Sequence, residues 1–118
     1  MSVTIYHNPR CSKSRKTLEI ITDSGTDHEI VLYLNDTPDS AKILDITKKL
    51  GVAVQEILRR GETEFKEADD LPELSDDAAM AEWLTKHPIV IERPIVVNNE
   101  TGAAVIGRPP ENVEALLD

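Results

Sequence analysis

The first 34 residues constrain the fold most, because they predict a strand, a helix and a second strand joined by short turns. "VTIYH" (Val3–His7) alternates and is β-branched, while "HEIVLYL" (His28–Leu34) is fairly apolar and predicts an interior strand. The helix between them is predicted to begin near Ser12, a suitable cap, and to stop at Gly25. Two strands joined in this way pair in parallel through a right-handed crossover. The N-terminal third therefore predicts a βαβ unit.

The middle of the chain predicts helices. Capping and terminating residues favour one helix from Thr37 to Gly51 and a shorter one in "VAVQEILRRG", which closes at Gly61. A polar connection follows, with eight acids and one lysine between Glu62 and Asp77. "SDDAAMAEWLTKHP" predicts another helix that is capped by Ser75 and ends before Pro88.

The last third predicts strands again. "PIVVN" and "AAVIG" flank the turn "NETG", and "PPENVEALLD" predicts a closing helix. The order βαβ, helical segment, ββα is that of an α/β, thioredoxin-like fold with helices inserted between its two halves. We expect a single domain over residues 1–118, with a core at 1–35 and 88–118 and a helical insertion at 36–87.

Charge excludes several classes of protein. The net charge is −9, from 22 acidic and 13 basic residues, which disfavours binding to nucleic acid or to an anionic membrane surface.

No apolar run approaches the roughly 18 residues that span a bilayer, and no signal-peptide pattern begins the chain. A single cysteine agrees with a reducing compartment. We therefore expect a cytoplasmic protein.

The single cysteine, Cys11, lies where the first predicted helix begins, and four basic residues fall between Arg10 and Lys16. A helix N-terminus is already positive, so cations there are unusual unless they serve an anion. Free N–H groups, the helix dipole and nearby cations lower the pKa of a cysteine from about 8.5 into a range of roughly 3.5–7.5. A lone cysteine is usually a small buried hydrophobe, but position and charge favour a nucleophilic thiolate here.

The same turn predicts an oxyanion site, since helix N-termini bind oxyanions through their exposed N–H groups. Spacing excludes two known chemistries. A cysteine phosphatase carries C-x5-R, where this chain has Thr17, and a dithiol oxidoreductase carries C-x-x-C, where it has Ser14. Cys11 therefore has no partner for an internal disulfide, and an external thiol must reduce any oxidised form.

Three neighbours of Cys11 are candidates for supporting the thiolate. His7 either tunes it by charge or hydrogen bonding or is an ordinary histidine at the end of a strand. Ser14 either decorates the first helical turn or donates its hydroxyl to the sulfur, and Arg15 adds positive charge. The other two histidines have no ligand partner nearby in sequence, so no metal site is predicted.

Further arginines stand in "ILRRG", "IERPIVV" and "VIGRPPE", the last two at predicted strand ends. One such arginine is more often a surface charge, but guanidinium forks suit oxyanions. Taken together, the segments resemble the glutaredoxin-coupled arsenate reductase family over essentially the whole chain. The matching segments are "TIYHNPRCSKSRKTLEII", "SGT", "YLNDTP", "ILRR", "HPIVIERPIVV" and "GRPPE".

The resemblance implies a thioredoxin-like fold, a cis Arg93–Pro94 peptide bond, Cys11 as the nucleophile, and Arg59, Arg93 and Arg108 as oxyanion-binding residues. Arg59 is preferred to Arg60 because it directly follows "IL". The implied enzyme is an oxidoreductase that reduces arsenate to arsenite with no bound cofactor. Glutathione is then the co-substrate, and glutaredoxin is the partner that clears a Cys11–glutathione disulfide.

Two alternatives stay open. The "CSKS" motif also matches a monothiol oxidoreductase that acts on glutathione mixed disulfides, and a related group of redox-responsive regulators binds RNA polymerase, although these generally carry C-x-x-C. The loop "HNPRCSKSR" is bulkier and more basic than "HNPACGTSR" of the well-studied reductases, through Arg10, Ser12 and Lys13. Another oxyanion or a glutathionylated thiol is therefore also a candidate substrate.

Overall fold

A computed structural model describes residues 1–117, which form a four-stranded mixed sheet with helices. The strands are β1 (Ser2–Tyr6), β2 (Asp27–Val31), β3 (Ile95–Asn98) and β4 (Ala104–Ile106), in the order β2–β1–β3–β4. β1 pairs in parallel with β2 and antiparallel with β3, and β3 pairs antiparallel with β4. The parallel pair confirms the predicted βαβ unit, and the whole is the predicted thioredoxin-like α/β fold.

Two of the α-helices begin at aspartate caps. Asp39 accepts a hydrogen bond from the N–H of Lys42 at 2.8 Å, and Asp76 accepts one from the N–H of Ala79 at 3.1 Å.

Among residues 1–117, no helix is long and apolar enough to cross a membrane. The α-helices are α1 (Ser12–Asp23), α2 (Ser40–Leu50), α3 (Thr63–Lys66) and α4 (Asp77–Lys86), and the 3-10 helices are Val54–Ile57, Pro88–Val90 and Pro110–Leu116.

The chain divides into two compact units. The first comprises Met1–Asp36 and the segment from Arg93 onward, and the second is Thr37–Glu92. In the first unit, α1 and the last 3-10 helix pack on one face of the sheet, because alternate residues of β1 point to the same side. The buried cluster at this interface is Val3, Ile5, Ile21, Val96, Val113 and Leu116.

The second unit is helical and ends in a short antiparallel contact. Leu58 pairs with Ile91 across an isolated bridge, the N–H of Arg59 donates to the Val90 carbonyl at 2.7 Å, and the N–H of Glu92 donates to Ile57 at 2.8 Å. These bonds place Arg59 opposite Val90 and Glu92 opposite Ile57. The buried apolar residues of this unit include Ile43, Ile46, Val54, Ile57, Met80, Ala81, Leu84 and Val90.

Several predictions of local structure are wrong. β2 is an edge strand whose residues Asp27–Ile30 are exposed, so its apolar run does not make it interior. The predicted helix ending at Gly61 is only a 3-10 turn, because Leu58 pairs with another segment instead. The closing helix is 3-10 rather than α, and its predicted last residue, Asp118, lies outside the described residues.

The predicted helix caps are displaced by one or two residues. α2 is capped by Asp39 rather than Thr37, and α4 by Asp76 rather than Ser75. In both places an aspartate lies one or two positions after the predicted cap. Aspartate, serine and threonine can all cap a helix, so the sequence alone does not show which residue does so. The predicted terminators are correct for α2, where Gly51 has φ of +73°, and for α1, where Gly25 has φ of +75°.

Candidate active site

The loop between β1 and α1 is fixed by its own backbone. The N–H of Cys11 donates to the Asn8 carbonyl at 3.0 Å, and the N–H of Arg10 donates to Asn8 Oδ1 at 3.0 Å. Cys11 itself, not Ser12, occupies the N-cap position, with extended φ and ψ of −90° and 122°. The sulfur therefore stands at the N-terminus of a 12-residue helix, where backbone N–H groups lack helical partners.

The surroundings of Cys11 favour its thiolate. Burial raises the pKa of the thiol, but the N–H groups of Ser14 and Lys13 and a hydrogen bond and charge from Arg93 outweigh it, so the pKa lies below its ordinary value. Cys11 is partly exposed, so a reagent can reach it.

Two arginines from the sheet end meet at this sulfur. Arg93 is buried, 8% exposed, and its guanidinium donates to the Cys11 sulfur. Arg108 Nη1 donates to Cys11 Sγ at 3.9 Å and to the Arg93 carbonyl at 3.3 Å. The Arg93–Pro94 peptide is cis, as the resemblance implied, and the Arg108–Pro109 peptide is cis as well. Two guanidinium groups beside a thiolate have the charge and the donor geometry to bind an anion there.

The His7 ring hydrogen bonds to the Ser14 side chain. His7 Nδ1 lies 2.7 Å from Ser14 Oγ, which also accepts the N–H of Asn8 at 3.1 Å, and all three residues are buried. Burial, and then the charge of Arg15, lower the pKa of His7, so its ring is neutral near pH 7. Either neutral tautomer makes this hydrogen bond, with Nδ1 donating to the Ser14 oxygen or accepting from its hydroxyl. In the described residues this hydroxyl hydrogen bonds to His7 and Asn8. The group of Ser14 that stabilises the Cys11 thiolate is its backbone N–H.

Arg15 stabilises the loop. Its Nη1 donates to the Pro9 carbonyl at 2.9 Å, and the side chain is exposed. It acts electrostatically on His7, whereas the cation that lowers the pKa of Cys11 is Arg93.

Arg59 belongs to the second unit and is bound by two carboxylates. Its Nη1 lies 2.8 Å from Glu92 Oε1, and its Nε lies 3.3 Å from Glu62 Oε2. Burial lowers the pKa of Arg59, but the two carboxylates raise it by more than burial lowers it. The guanidinium is therefore cationic throughout the working range of pH. Arg60 is exposed.

Gly107 allows β4 to approach α1 and Pro94 closely. Its N–H donates to the Pro94 carbonyl at 2.9 Å, and a Cβ atom built on it would stand 2.5 Å from Thr17 Oγ1 and 2.7 Å from Pro94 Cγ. The next residue is Arg108, so this close packing positions one of the two guanidinium groups at the sulfur.

A protein-family model matches the part of the chain that contains this site. The model of the ArsC family matches residues 6–116, which include Cys11, Arg93 and Arg108.

The chain belongs to the ArsC family.

Similar proteins cover nearly the whole chain. An arsenate reductase of Neisseria meningitidis serogroup A is 43% identical over 117 residues, which are 98% of this chain and 97% of that protein. The uncharacterized protein YfgD of Escherichia coli (strain K12) is 44% identical over 112 residues, 94% of this chain and 92% of that protein. The solved structure of an arsenate reductase from Vibrio cholerae has a TM-score of 0.87 at 39% identity, covering 99% of this chain and 98% of that one. The thioredoxin-like fold described above is thus the fold of this ArsC chain's structural neighbours.

Sequence reasoning missed Asn8, Gly107 and the backbone of Lys13. Asn8 precedes Pro9, a pair typical of turns, and its side chain does fold back onto the loop. Gly107 precedes Arg108 in "GRPPE", but no feature of the sequence alone predicts its contact with Thr17. These residues position the site of this ArsC chain without touching the sulfur through their side chains.

We expect Gly107→Ala to lower the free energy of unfolding by about 1–3 kcal/mol, because the methyl group would overpack the contact with Thr17 and Pro94. Urea unfolding measures the change. Gly61→Ala is the matched control, since a Cβ there meets nothing within 4 Å. If both substitutions change stability equally, the close approach at Gly107 does not constrain this ArsC chain.

We expect iodoacetamide to alkylate Cys11 with a pH midpoint below the roughly 8.5 of a free cysteine, because the thiolate is the reactive form and its pKa is lowered. The urea-unfolded chain is the control and should titrate normally. By linkage, the same shift stabilises the folded state at high pH, and this contribution disappears as the pH falls through the folded pKa. An unshifted midpoint in the folded chain would contradict the electrostatics of the site.

Proposed function

We propose that this chain is an arsenate reductase that reduces arsenate to arsenite through Cys11, with glutathione as the co-substrate and glutaredoxin as the regenerating partner. The observation that carries the proposal is the approach of Arg93 and Arg108 to the Cys11 sulfur. A thiolate and an oxyanion repel each other, and two guanidinium groups offset that repulsion. The activity of the named relatives supports arsenate as the oxyanion.

The reaction begins when the Cys11 thiolate attacks arsenic. A sulfur–arsenic bond forms, one arsenic–oxygen bond breaks, and that oxygen leaves as water after protonation. Glutathione forms a second sulfur–arsenic bond with the loss of another water. Both sulfur–arsenic bonds then break as a disulfide forms between Cys11 and glutathione, and the freed electron pair reduces arsenic(V) to arsenic(III), which takes up water and leaves as arsenite.

The Cys11–glutathione disulfide must be opened by a thiol from outside, since the chain has no second cysteine. A glutaredoxin thiolate takes the glutathione group, and the Cys11 thiolate leaves. The lowered pKa of Cys11 makes it a good leaving group as well as a nucleophile at neutral pH.

Arg59 is the third oxyanion ligand in this proposal. The support is the resemblance together with a half-buried guanidinium that Glu92 and Glu62 keep charged and oriented. Arsenate would compete with these carboxylates for the guanidinium, so we expect Arg59 to contribute less than Arg93.

The test is arsenate-dependent NADPH oxidation, coupled through glutathione, glutaredoxin and glutathione reductase, with direct detection of arsenite. We expect repeated turnover only when both glutathione and glutaredoxin are present, since without glutaredoxin each protein molecule can form at most one arsenite before Cys11 is held as the glutathione disulfide. Phosphate in place of arsenate should give no oxidation. No arsenite from a folded protein whose Cys11 alkylates normally would contradict the proposal.

A second candidate is a monothiol oxidoreductase that removes glutathione from mixed disulfides. The observation in its favour is Ser14, which stands where a dithiol enzyme has its second cysteine and presents its N–H to the sulfur. A peptide disulfide does not need two arginines at the nucleophile, which favours the reductase. Turnover of a glutathionylated peptide without any arsenate turnover would favour the monothiol oxidoreductase over the reductase.

A further inference from the structure

We infer that Arg10 and Lys13 form a docking site for the carboxylates of the incoming thiol, and that they give the enzyme its preference for an acidic thiol co-substrate. The inference takes from the proposed function only that an external thiol attacks at Cys11. It assigns these two side chains a binding role that is separate from the oxyanion site at Arg93 and Arg108.

Both side chains are exposed, and in the part of the chain that the structure describes neither is in an ion pair. Other cations do have carboxylate partners: Lys16 lies 3.5 Å from Glu19, and Lys49 lies 3.0 Å from Asp45. In a protein with a net charge of −9, two cations without carboxylate partners beside the nucleophile create a local positive potential that attracts anions.

The cations around Cys11 divide into an inner and an outer set. Arg93 and Arg108 donate to the sulfur itself. Arg15 is bound to the Pro9 carbonyl, so it is part of the loop. Arg10 and Lys13 are the outer set.

The backbone fixes the positions of the outer set. The N–H of Arg10 is held by Asn8 Oδ1 at 3.0 Å, and the N–H of Lys13 faces the sulfur. Their stems therefore start on either side of Cys11 and extend into solvent.

The chemistry of the second substrate matches this outer set. Because the chain has one cysteine, the second sulfur comes from a separate molecule, and that sulfur must reach the adduct on Cys11. The rest of that molecule must then lie near the Cys11 loop, which carries the exposed residues Arg10 and Lys13. A thiol that carries carboxylates would meet these two charges, whereas an uncharged thiol would not.

The test uses Cys11 converted to its mixed disulfide with 5-thio-2-nitrobenzoate, and follows release of that coloured thiolate. An incoming thiolate attacks the Cys11 sulfur, a new disulfide forms, the old one breaks, and the aryl thiolate leaves because its pKa is low. The two probes are glutathione and glutathione diethyl ester, whose carboxylates are masked. The readout is the ratio of their rate constants, in which any change in the reactivity of Cys11 itself cancels.

We expect Arg10→Gln/Lys13→Gln to lower this ratio about three- to tenfold, as two exposed charge contacts would. Lys16→Gln/Lys49→Gln removes two positive charges elsewhere and should leave the ratio within about 1.5-fold of the unsubstituted protein. High salt should lower the ratio of the unsubstituted protein toward that of the Arg10/Lys13 variant. All four residues are exposed or half-exposed, so we expect these variants to fold.

An unchanged ratio in the Arg10→Gln/Lys13→Gln variant would overturn the inference, and so would an equal fall in the Lys16→Gln/Lys49→Gln control. No arsenate is present, so the outcome is independent of the proposed function. If the ratio falls as expected but arsenite never forms, the acidic-thiol site stands and the arsenate reductase proposal fails. If arsenite forms but the ratio does not change, only the docking site is wrong.

Discussion

Cys11→Ser should reduce arsenate turnover to background, a loss on the order of 10⁴-fold or more. A serine hydroxyl is not ionised at neutral pH, so it cannot attack arsenic as the thiolate does. It also cannot form the disulfide that carries two electrons to arsenic. The coupled NADPH assay with arsenite detection measures this loss.

Cys11→Ser is expected to fold normally, which makes the loss interpretable. Serine is among the best N-cap residues, and Cys11 occupies the N-cap of α1, so urea unfolding should show equal or greater stability. If the folded variant retained a tenth of the turnover, the sulfur would not be the nucleophile and the proposed reaction would be wrong.

Arg93→Ala should lower kcat/KM for arsenate by about 10²- to 10³-fold, the usual cost of removing a donor that stabilises developing negative charge. Two losses combine. The guanidinium that would hold the oxyanion is removed. The pKa of Cys11 also rises, because the hydrogen bond and the positive charge of Arg93 that lower it are lost. The alkylation midpoint of Cys11 should therefore move to higher pH in this variant.

Arg60→Ala is the matched control, since Arg60 is exposed, and we expect it to change kcat/KM less than about threefold. Arg93 is buried, so Arg93→Lys supplies a second comparison that keeps the charge and loses the planar fork. It should restore part of the alkylation shift but little of the arsenate activity. Equal effects of Arg93→Ala and Arg60→Ala would mean that the oxyanion site lies elsewhere.

Local sequence was sufficient for the first strand, helix and strand. A β-branched alternation, a turn with Pro9 and a stop at Gly25 each depend on neighbours within a few residues, and the parallel pairing follows from the crossover. Cys11 at the helix start was predictable for the same reason. Local sequence was misleading where long-range pairing competes, as at Leu58, which pairs with Ile91 instead of continuing a helix.

The prediction that positive charge surrounds the thiol was made from the wrong residues. Sequence neighbours suggested Arg10, Lys13 and Arg15, but the cation that lowers the pKa of Cys11 is Arg93, which is 82 positions away in the chain. Lys13 contributes through its backbone. The position of Arg93 and Arg108 at predicted strand ends, together with the resemblance, had already indicated both residues from the sequence.

The sequence by itself determined that this protein holds one thiol at the N-terminus of a helix in a thioredoxin-like fold, because helix caps and hydrophobic alternation are local properties. Tertiary structure decided what that thiol can do. β3 and β4 pair antiparallel, so the start of one and the end of the other meet at the β1–α1 loop and carry Arg93 and Arg108 to the sulfur. In the proposed reaction a thiolate and an oxyanion share this site because two cations that are distant in sequence offset their repulsion.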